Sequence, residues 1–498
     1  MLQFFNSLSR QTEAFKPLKR GKVTMYNCGP TVYNYVHIGN LRSFLFAELL
    51  RRYLEHKGYA VTQVMNLTDV GHMLADADVG EDRMEVAAAK SGKTPQEVAD
   101  FYADAFFRDI DRLGIRRASV YPRASQHVPE MIAIIGKLLA NGHAYKVEEN
   151  GGTSVYYDVS SFPNYGKLSG NTIEGLNPGA RVDVRQDKKH PSDFALWIHN
   201  PQHLMQWEAP WGQGYPGWHI ECSAMSTKYL GDTIDIHTGG EDNKFPHHEC
   251  EIAQTEGATG KQFVRYWLHV MHLLVDGEKM SKSKDNFFTL GELEAKGYAP
   301  REIRYLLLST HYRQQPNFTF NGLDAARGAL KRLDDFADAL KHAISESSGR
   351  PASHGKKAVK AIDAALDDDM NVAKALAGIF DYVHFINEKM AGGGTPSAQR
   401  RAPGPDIQRA PKASSKLTER DRLAALDFLK AVTDIFGFEL GQDVDFDKLP
   451  ESTKELIARR DAARQEKRFA EADRFRDELK AKGFIVEDTP EGRRIKRA

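Results

Sequence analysis

Two short stretches of this sequence could handle a polyphosphate. His37-Ile38-Gly39-Asn40 follows a short alternating run and leads into a helical one. That is where helix N–H groups lack partners and the dipole is positive. There Gly39 would let an anion approach the backbone, and His37 could donate to a phosphoryl oxygen. The second stretch, Lys279-Met280-Ser281-Lys282-Ser283, leaves an Asp276-Gly277 turn. Two lysines and two serines on such a loop can surround a polyphosphate and follow its charge as it shifts. Taken singly, the first also reads as a turn with a structural histidine and the second as a solvated basic loop. A third feature is Cys28, one of only three cysteines in 498 residues, nine positions before His37. A lone cysteine is most often a small buried hydrophobe.

The elements that would position these residues follow from periodicity. Residues 22–27, KVTMYN, alternate like a strand; residues 41–58 put Leu and Phe at helical spacing and stop at Gly58; residues 60–66, AVTQVMN, are again strand-like. Strand, turn, helix, strand is a βαβ unit, so a doubly wound parallel sheet with ligands at its strand ends is expected. An acidic stretch (75–85), helical periods near 96–142 and GGTSVYYDV interrupt that pattern, and residues 70–210 are read as an insertion. The pattern resumes with TIDIHTGGED (233–242), a helix opened by Pro246 and VRYWLHV (264–270). HLLVDGEKMS (272–281) reads as a hairpin.

From Pro300 amphipathic helices follow one another, which predicts a bundle. Residues 391–416, rich in Gly, Pro, Ser and Ala, predict a flexible link. One more helix (417–436) precedes a basic end: two helices over 451–482 and a small hairpin.

Length predicts two to four domains. Hydrophobic residues at 41% and charged residues at 27% describe a soluble globular chain, and 68 basic against 68 acidic residues name no partner. Three cysteines exclude a disulfide framework and suit a reducing compartment. The first residues lack a signal-peptide pattern, and no apolar run is long enough to span a bilayer. A cytoplasmic location and no membrane partner are expected.

In this order across a split βαβ domain, the stretches resemble a class I aminoacyl-tRNA synthetase. YNCGPTVYNYVHIGN, PWGQGYPGWHIECSAMS, DIHTGGEDNKFPHHECEIAQTE and KMSKSKDN are similar to the successive blocks of the cysteinyl-tRNA synthetase family. The likeness runs from FFNSLSRQTEAFKPL to ARRDAARQEKRFAEADRFRDEL and omits only residues 391–416. It implies a split Rossmann-type catalytic domain at 1–300, a bundle at 301–390 that follows the tRNA stem, a last bundle helix and connection at 417–450, and an anticodon-binding domain at 451–498. The expected reaction activates L-cysteine with ATP and Mg2+ and transfers the cysteinyl group to the terminal adenosine of tRNA-Cys. A monomer is expected.

The resemblance also implies residue roles. His37, Asn40, Lys279 and Lys282 would stabilise charge during adenylate formation. Pro30, Gly39, Gly239, Gly240, Asp242, Met280, Ser281 and Ser283 would complete the ATP site. Thr31, Thr68 and Trp218 would face the amino acid. Cys28, Cys222, His247 and Glu251 would hold one Zn2+ beside it; His247 and Glu251 are four apart, hence on one helical face. Spacing alone leaves open a plainer reading, with buried thiols and two surface polar residues. Cys250 is read as a packing thiol and His248 as a neighbour rather than a ligand.

Three positions depart from the blocks: Asn40 where His is common, Tyr215 where Arg is expected, and Ile495 where an aromatic commonly sits. The last bears on whether the terminal hairpin stacks on an anticodon base. Two rival functions share most of these features. One is a mycothiol-pathway type cysteine ligase acting on a sugar amine, which would lack the basic end. The other is an inactive tRNA-binding or zinc-sensing paralogue, which intact KMSKS and all four donors disfavour.

Overall fold

The fold was analysed in a computed structural model that describes residues 1–70, 82–149, 151–172, 188–280, 286–343, 352–392, 417–441, 446, 449–481, 484–489 and 492–497. Ser281, Lys282 and Ser283, most of the link at 391–416 and most of the acidic stretch lie outside the described residues. The chain forms two compact units: residues 1–289, 312–317 and 367–370, and the remainder.

The first unit opens with an antiparallel pair, β1 (Gln3–Asn6) and β2 (Gln11–Ala14). Then come β3 (Lys22–Asn27), α1 (Ile38–His56) and β4 (Ala60–Met65), the βαβ unit that the periodicity predicts. Between β4 and the next strand of this sheet lie three helices, α2 (Arg83–Ser91), α3 (Pro95–Arg112) and α4 (Val128–Ala140). An antiparallel sheet follows: β5 (Ala144–Glu149), β6 (Gly152–Tyr157), β7 (Phe194–Ile198), β8 (Trp207–Ala209) and β9 (Gly212–Pro216), in the order β5-β6-β7-β9-β8. The chain returns through α5 (Trp218–Leu230), β10 (Ile234–Gly240), α6 (Glu249–Thr259) and β11 (Val264–Val270). A short hairpin, β12 (Leu274–Val275) and β13 (Glu278–Lys279), turns at Asp276-Gly277, both with positive φ.

The parallel sheet has the order β11-β10-β3-β4. The chain leaves β3 towards β4 on one side and later returns as β10 on the other. A topological switch therefore lies at the C-terminal ends of β3 and β10, where such sheets place ligands. Buried Tyr26, Val64, Trp197, Ile220, Ile234 and Trp267 belong to the core behind it. The fully buried Arg42 ties α1 to this end of the sheet, donating to the Met271 and Gln314 carbonyls. Burial lowers its guanidinium to about 10, so it stays charged at neutral pH.

The second unit is largely helical: α7 (Leu290–Ala295), α8 (Pro300–Ser309), α9 (Phe320–His342), α10 (His354–Asp367), α11 (Val372–Met390) and α12 (Glu419–Phe436). Gly437 ends α12 in the left-handed conformation, and the buried Arg304 fills the space a Cβ would take there. Arg304 donates to the Phe436 carbonyl at 2.8 Å, a cation on a helix C-terminus. The chain ends in α13 (Glu451–Gln465), α14 (Phe469–Ala481) and a hairpin of strands Phe484–Thr489 and Gly492–Arg497. No helix among the described residues is long and apolar enough to cross a membrane.

Ile495 pairs with Val486 in the hairpin and is only 4% exposed, packed in a small core with Phe475 and Leu479. Strand alternation turns this position inward, so its side chain makes no base-stacking surface. The basic end is also less cationic than its composition. Buried Arg460 is paired with Asp461 and Asp488, and Arg493 with Asp461. Ile495→Ala should open that core and cost about 2–4 kcal/mol in the C-terminal unfolding transition by chemical denaturation. Arg493→Ala, removing a partly exposed pair, should cost under about 1 kcal/mol.

Candidate active site and metal centre

One cavity of about 440 Å³ opens at the switch point. Its wall includes the turn before α1. His37 is the N-cap of that helix, and its Nδ1 accepts from the Gly39 and Asn40 amides at 3.0 and 3.3 Å. Asn40 answers by accepting from the His37 amide at 3.2 Å, a reciprocal capping pair. Because Nδ1 accepts, the proton of the neutral ring sits on Nε2, the donor a phosphoryl oxygen would need. Asn40 keeps its Nδ2 hydrogens, so replacing histidine here retains a donor.

The lysine-rich loop meets this turn from both sides. A Cβ on Gly39 would lie 2.7 Å from Met280 Cε, so the methionine now covers the glycine that the sequence assigns to nucleotide approach. After residues 281–285 the chain returns to the same place. Phe287 packs on His37 at 4.9 Å, and the Ile38 amide donates to the Phe288 carbonyl at 2.9 Å. Lys279 and Met280 line the cavity.

Gly29, just past β3, lies so close to the Asn66 carbonyl that a Cβ would fall 1.8 Å from its oxygen. This draws the Pro30–Val32 segment onto the end of β4, where the Val32 amide donates to the Thr68 carbonyl, the Thr68 amide donates to the Pro30 carbonyl and Thr31 bridges Thr68. Pro30, Thr31 and Thr68 all face the cavity. The Thr68 hydroxyl donates to the buried Glu221 at 2.7 Å. Gly240 and Asp242 also line the cavity. Gly239 does not: it is buried, with the His248 ring against its Cα.

The floor carries the sulfur and imidazole groups. Cys28 follows β3, Cys222 lies on α5, and His247 and Glu251 share a face across the start of α6. Single ligand atoms from these four residues all fall within 4.8 Å of one another. His247 Nε2 is 3.1 Å from Glu251 Oε1, and Cys28 Sγ is 3.7 Å from the same oxygen. Cys28, Cys222 and His247 line the cavity, while Glu251 is fully buried beneath them. The other ring nitrogen of His247 meets His219 Nδ1 at 3.1 Å, and Trp218 stacks on its face at 4.4 Å. Two thiols, one imidazole and one carboxylate at these separations fit a tetrahedral soft-metal site with a ring-orienting neighbour.

Protonation follows from contact. Burial pushes Cys222 up, but hydrogen bonds from Cys28 and His247 and the His247 charge outweigh it and bring the thiol down to about 6. Burial disfavours the His247 cation, yet Cys222 and Glu251 hold it up at about 10. Burial raises Glu251, and His237 and His247 more than offset it, leaving about 2. Cys28 is raised well above the usual thiol range by desolvation and by its Cys222 and Glu251 neighbours.

Sequence reasoning passed over His237, which reaches Glu251 Oε2 at 2.9 Å, and His269, which meets His248 at 2.8 Å. Polar residues at consecutive alternating places in a buried strand, as with Asp235 and His237 in Ile234–Gly240, are the available signal. Arg83 was also missed; it lines the cavity and donates to the Tyr33 hydroxyl at 3.2 Å. Cys250 is buried with its sulfur 3.5 Å from the Tyr165 hydroxyl, and it is not among these donors. Tyr215 is buried and stacked on His203 at 3.8 Å, so it presents no polar surface in place of an arginine.

Comparison with known proteins shows the family and the fold. Residues 14–328 match the family described as tRNA synthetases class I (C) catalytic domain, residues 361–440 the DALR domain, and residues 447–495 the cysteinyl-tRNA ligase anticodon binding domain. A cysteine–tRNA ligase of Symbiobacterium thermophilum is 44% identical over 507 residues, covering 100% of both chains. One of Chlorobaculum tepidum is 42% identical over 497 residues, covering 99% of this chain and 98% of the relative. Among solved structures, Mycobacterium tuberculosis methionyl-tRNA synthetase in complex with methionyl-adenylate aligns with a TM-score of 0.57 at 14% identity, over 83% of this chain and 90% of that one. The ternary complex of Agrobacterium radiobacter K84 agnB2 LeuRS with tRNA and LeuAMS gives 0.58 at 12% identity, over 85% of each. These two share the fold. The chain belongs to the cysteinyl-tRNA synthetase family of class I aminoacyl-tRNA synthetases.

Proposed function

We propose that the cavity activates L-cysteine with ATP and passes the cysteinyl group to the terminal adenosine of tRNA-Cys, with Cys28, Cys222, His247 and Glu251 holding zinc. One observation supports the reading above the others. Three of the four donors line the same cavity as the phosphate-type turn and Lys279, while the fourth, the Glu251 carboxylate, lies beneath them. In a closed structural site none of the donors would face a cavity. The open side is where a substrate sulfur can enter.

Zinc there would bind a thiolate and discriminate against the harder hydroxyl of serine. An apolar pocket separates such near-isosteres by only about 10–200-fold. Glu251 is the donor suited to yield, because His237 already holds its second oxygen. Trp218 closes one side of the amino acid, and Thr31 and Thr68 face its polar head. The substrate carboxylate attacks the α-phosphate in line. His37 Nε2, Asn40 Nδ2, Lys279 and Lys282 stabilise the charge that moves onto pyrophosphate, and Gly240 and Asp242 receive the nucleoside. Met280 withdraws from Gly39 as the nucleotide enters. The helical domains carry the tRNA.

Cysteine-dependent ATP–pyrophosphate exchange, followed by charging of a tRNA-Cys transcript, tests the whole reading; exchange without charging would favour another acceptor. Cys222→Ser should lose most of its zinc and drop exchange by at least about 100-fold, whereas Cys250→Ser should keep both within about twofold. Normal exchange in zinc-free Cys222→Ser would sink the metal assignment.

Metal uptake should also release protons. At pH 8 the metal-free site holds Cys222 and Glu251 ionised, with Cys28 and His247 still carrying protons. Zinc binding should therefore release about two protons per chain, and affinity should rise with pH. Calorimetry in buffers of differing ionisation heat reads that number; none released would contradict the assignment.

Truncation before Glu451 should leave exchange nearly intact and weaken charging, with a shallower salt dependence as phosphate contacts are lost. Unchanged charging and salt slope in the folded truncation would remove the tail from tRNA binding.

A further inference from the structure

The pocket-facing donors are not the only metal-compatible group in this cluster. Cys28, His237, His248 and Glu251 form a second tetrad, whose ligand atoms also lie within 4.8 Å of one another. Cys28 Sγ is 3.2 Å from His248 Nε2 and 3.7 Å from Glu251 Oε1. His237 Nε2 is 2.9 Å from Glu251 Oε2, and His248 Nε2 is 3.9 Å from Glu251 Oε1. Donor bonds of about 2.0–2.3 Å in a tetrahedron put neighbouring donors about 3.3–3.8 Å apart. The 3.7 Å separation lies within that range, those of 3.2 and 3.9 Å lie at its edges, and the 2.9 Å contact, to the other carboxylate oxygen, is shorter.

Three further observations bear on the group. It is closed except at the shared Cys28, which meets the cavity: His237, His248 and Glu251 are fully buried, and none of them lines it. It has an orienting chain behind it, because His248 Nδ1 meets His269 Nε2 at 2.8 Å and His269 Nδ1 meets the Ser7 hydroxyl at 2.7 Å. Such a relay can keep the His248 proton on Nδ1 and aim the Nε2 lone pair at Cys28. Lastly, its composition differs, with one thiolate and two imidazoles where the pocket-facing group has two thiolates and one imidazole.

We infer that the chain has a second, closed metal position formed by Cys28, His237, His248 and Glu251, mutually exclusive with the pocket-facing one because both use Cys28 and Glu251. The inference rests on the pocket-facing tetrad being a metal site. Ligand softness then divides the two positions. The dithiolate set favours zinc, and the imidazole-rich set favours ions such as nickel that accept nitrogen more readily. An ion in the closed position cannot meet a substrate thiol, and it withdraws two ligands from the position that can. The closed position is thus a trap for the wrong metal.

The test compares ligand spheres by X-ray absorption on full-length protein loaded with one metal. With zinc, wild type should show two sulfurs. With nickel it should show one sulfur and at least two imidazoles, and His248→Ala should restore two sulfurs. Two sulfurs around nickel in wild type would overturn the closed position and leave the pocket-facing one standing. Cys222→Ala/His247→Ala, which lacks both ligands particular to the pocket-facing group, should still bind about one nickel per chain. Binding no better than that of Cys28→Ala, which lacks the shared thiol, would also overturn it. Failure of wild type to bind either metal would overturn both positions together.

Discussion

The first unit depends on one demanding arrangement: a carboxylate, two thiols and several imidazoles gathered at the C-terminal end of a parallel sheet. Such groups leave water at a cost of several kcal/mol each unless something replaces the lost solvation. Here the replacement comes from one another, and the partners come from five separate parts of the chain. Cys28 follows β3, Cys222 is on α5, His237 is on β10, His247 and Glu251 flank the start of α6, and His269 is on β11. The cluster is therefore a cross-brace between the two halves of the split sheet. It is also an incomplete one, because mutual hydrogen bonding leaves His247 cationic and Cys28 protonated, with the Cys222 thiolate between them. A divalent cation would replace those two protons and neutralise the thiolates in a single step.

The phosphate-handling end of the same cavity is satisfied in a different way. His37 and Asn40 cap the helix through each other, and Met280 covers Gly39. A nucleotide bound as proposed would displace the methionine and leave the cap in place, since the cap uses His37 Nδ1 and Asn40 Oδ1. A cap of this kind is worth about 1 kcal/mol, and the methionine contact is a small apolar one. Charge-assisted bonds to a triphosphate exceed that contact. The resting turn is thus closed weakly enough for its ligand to open it, while the floor is braced strongly enough to stay in place.

Much of this was legible in the sequence because periodicity reports it directly. The runs at 22–27, 60–66 and 264–270 form strands, the segment before Gly58 is a helix, and Asp276-Gly277 is a hairpin turn. The four-residue spacing of His247 and Glu251 put them on one face even though the helix proper begins only at Glu249. Other features needed three dimensions. His237 looks like any residue of a buried strand until its neighbour across the sheet is known to be a carboxylate-bearing helix. The role of Met280 depends on a loop returning to a turn about 240 residues earlier. Ile495 read as a missing aromatic, whereas the hairpin register turns that position inward. The end reads as basic in composition, yet Arg460 is spent on two aspartates within its own fold.

The cluster also links selectivity to architecture. A pocket that recognised cysteine by shape could be tuned at its walls with little consequence for the core. Recognition through ligand softness cannot, because the donors that would sense sulfur are the ones bracing β3, α5 and α6. Changing Cys28 or Glu251 alters the substrate's neighbour and leaves other buried charges unpaired in the same step. Such a site has few routes to altered specificity, since most single changes that relax it also weaken the fold around it. The tolerant positions should be those that touch the cavity without packing on the brace, such as Arg83.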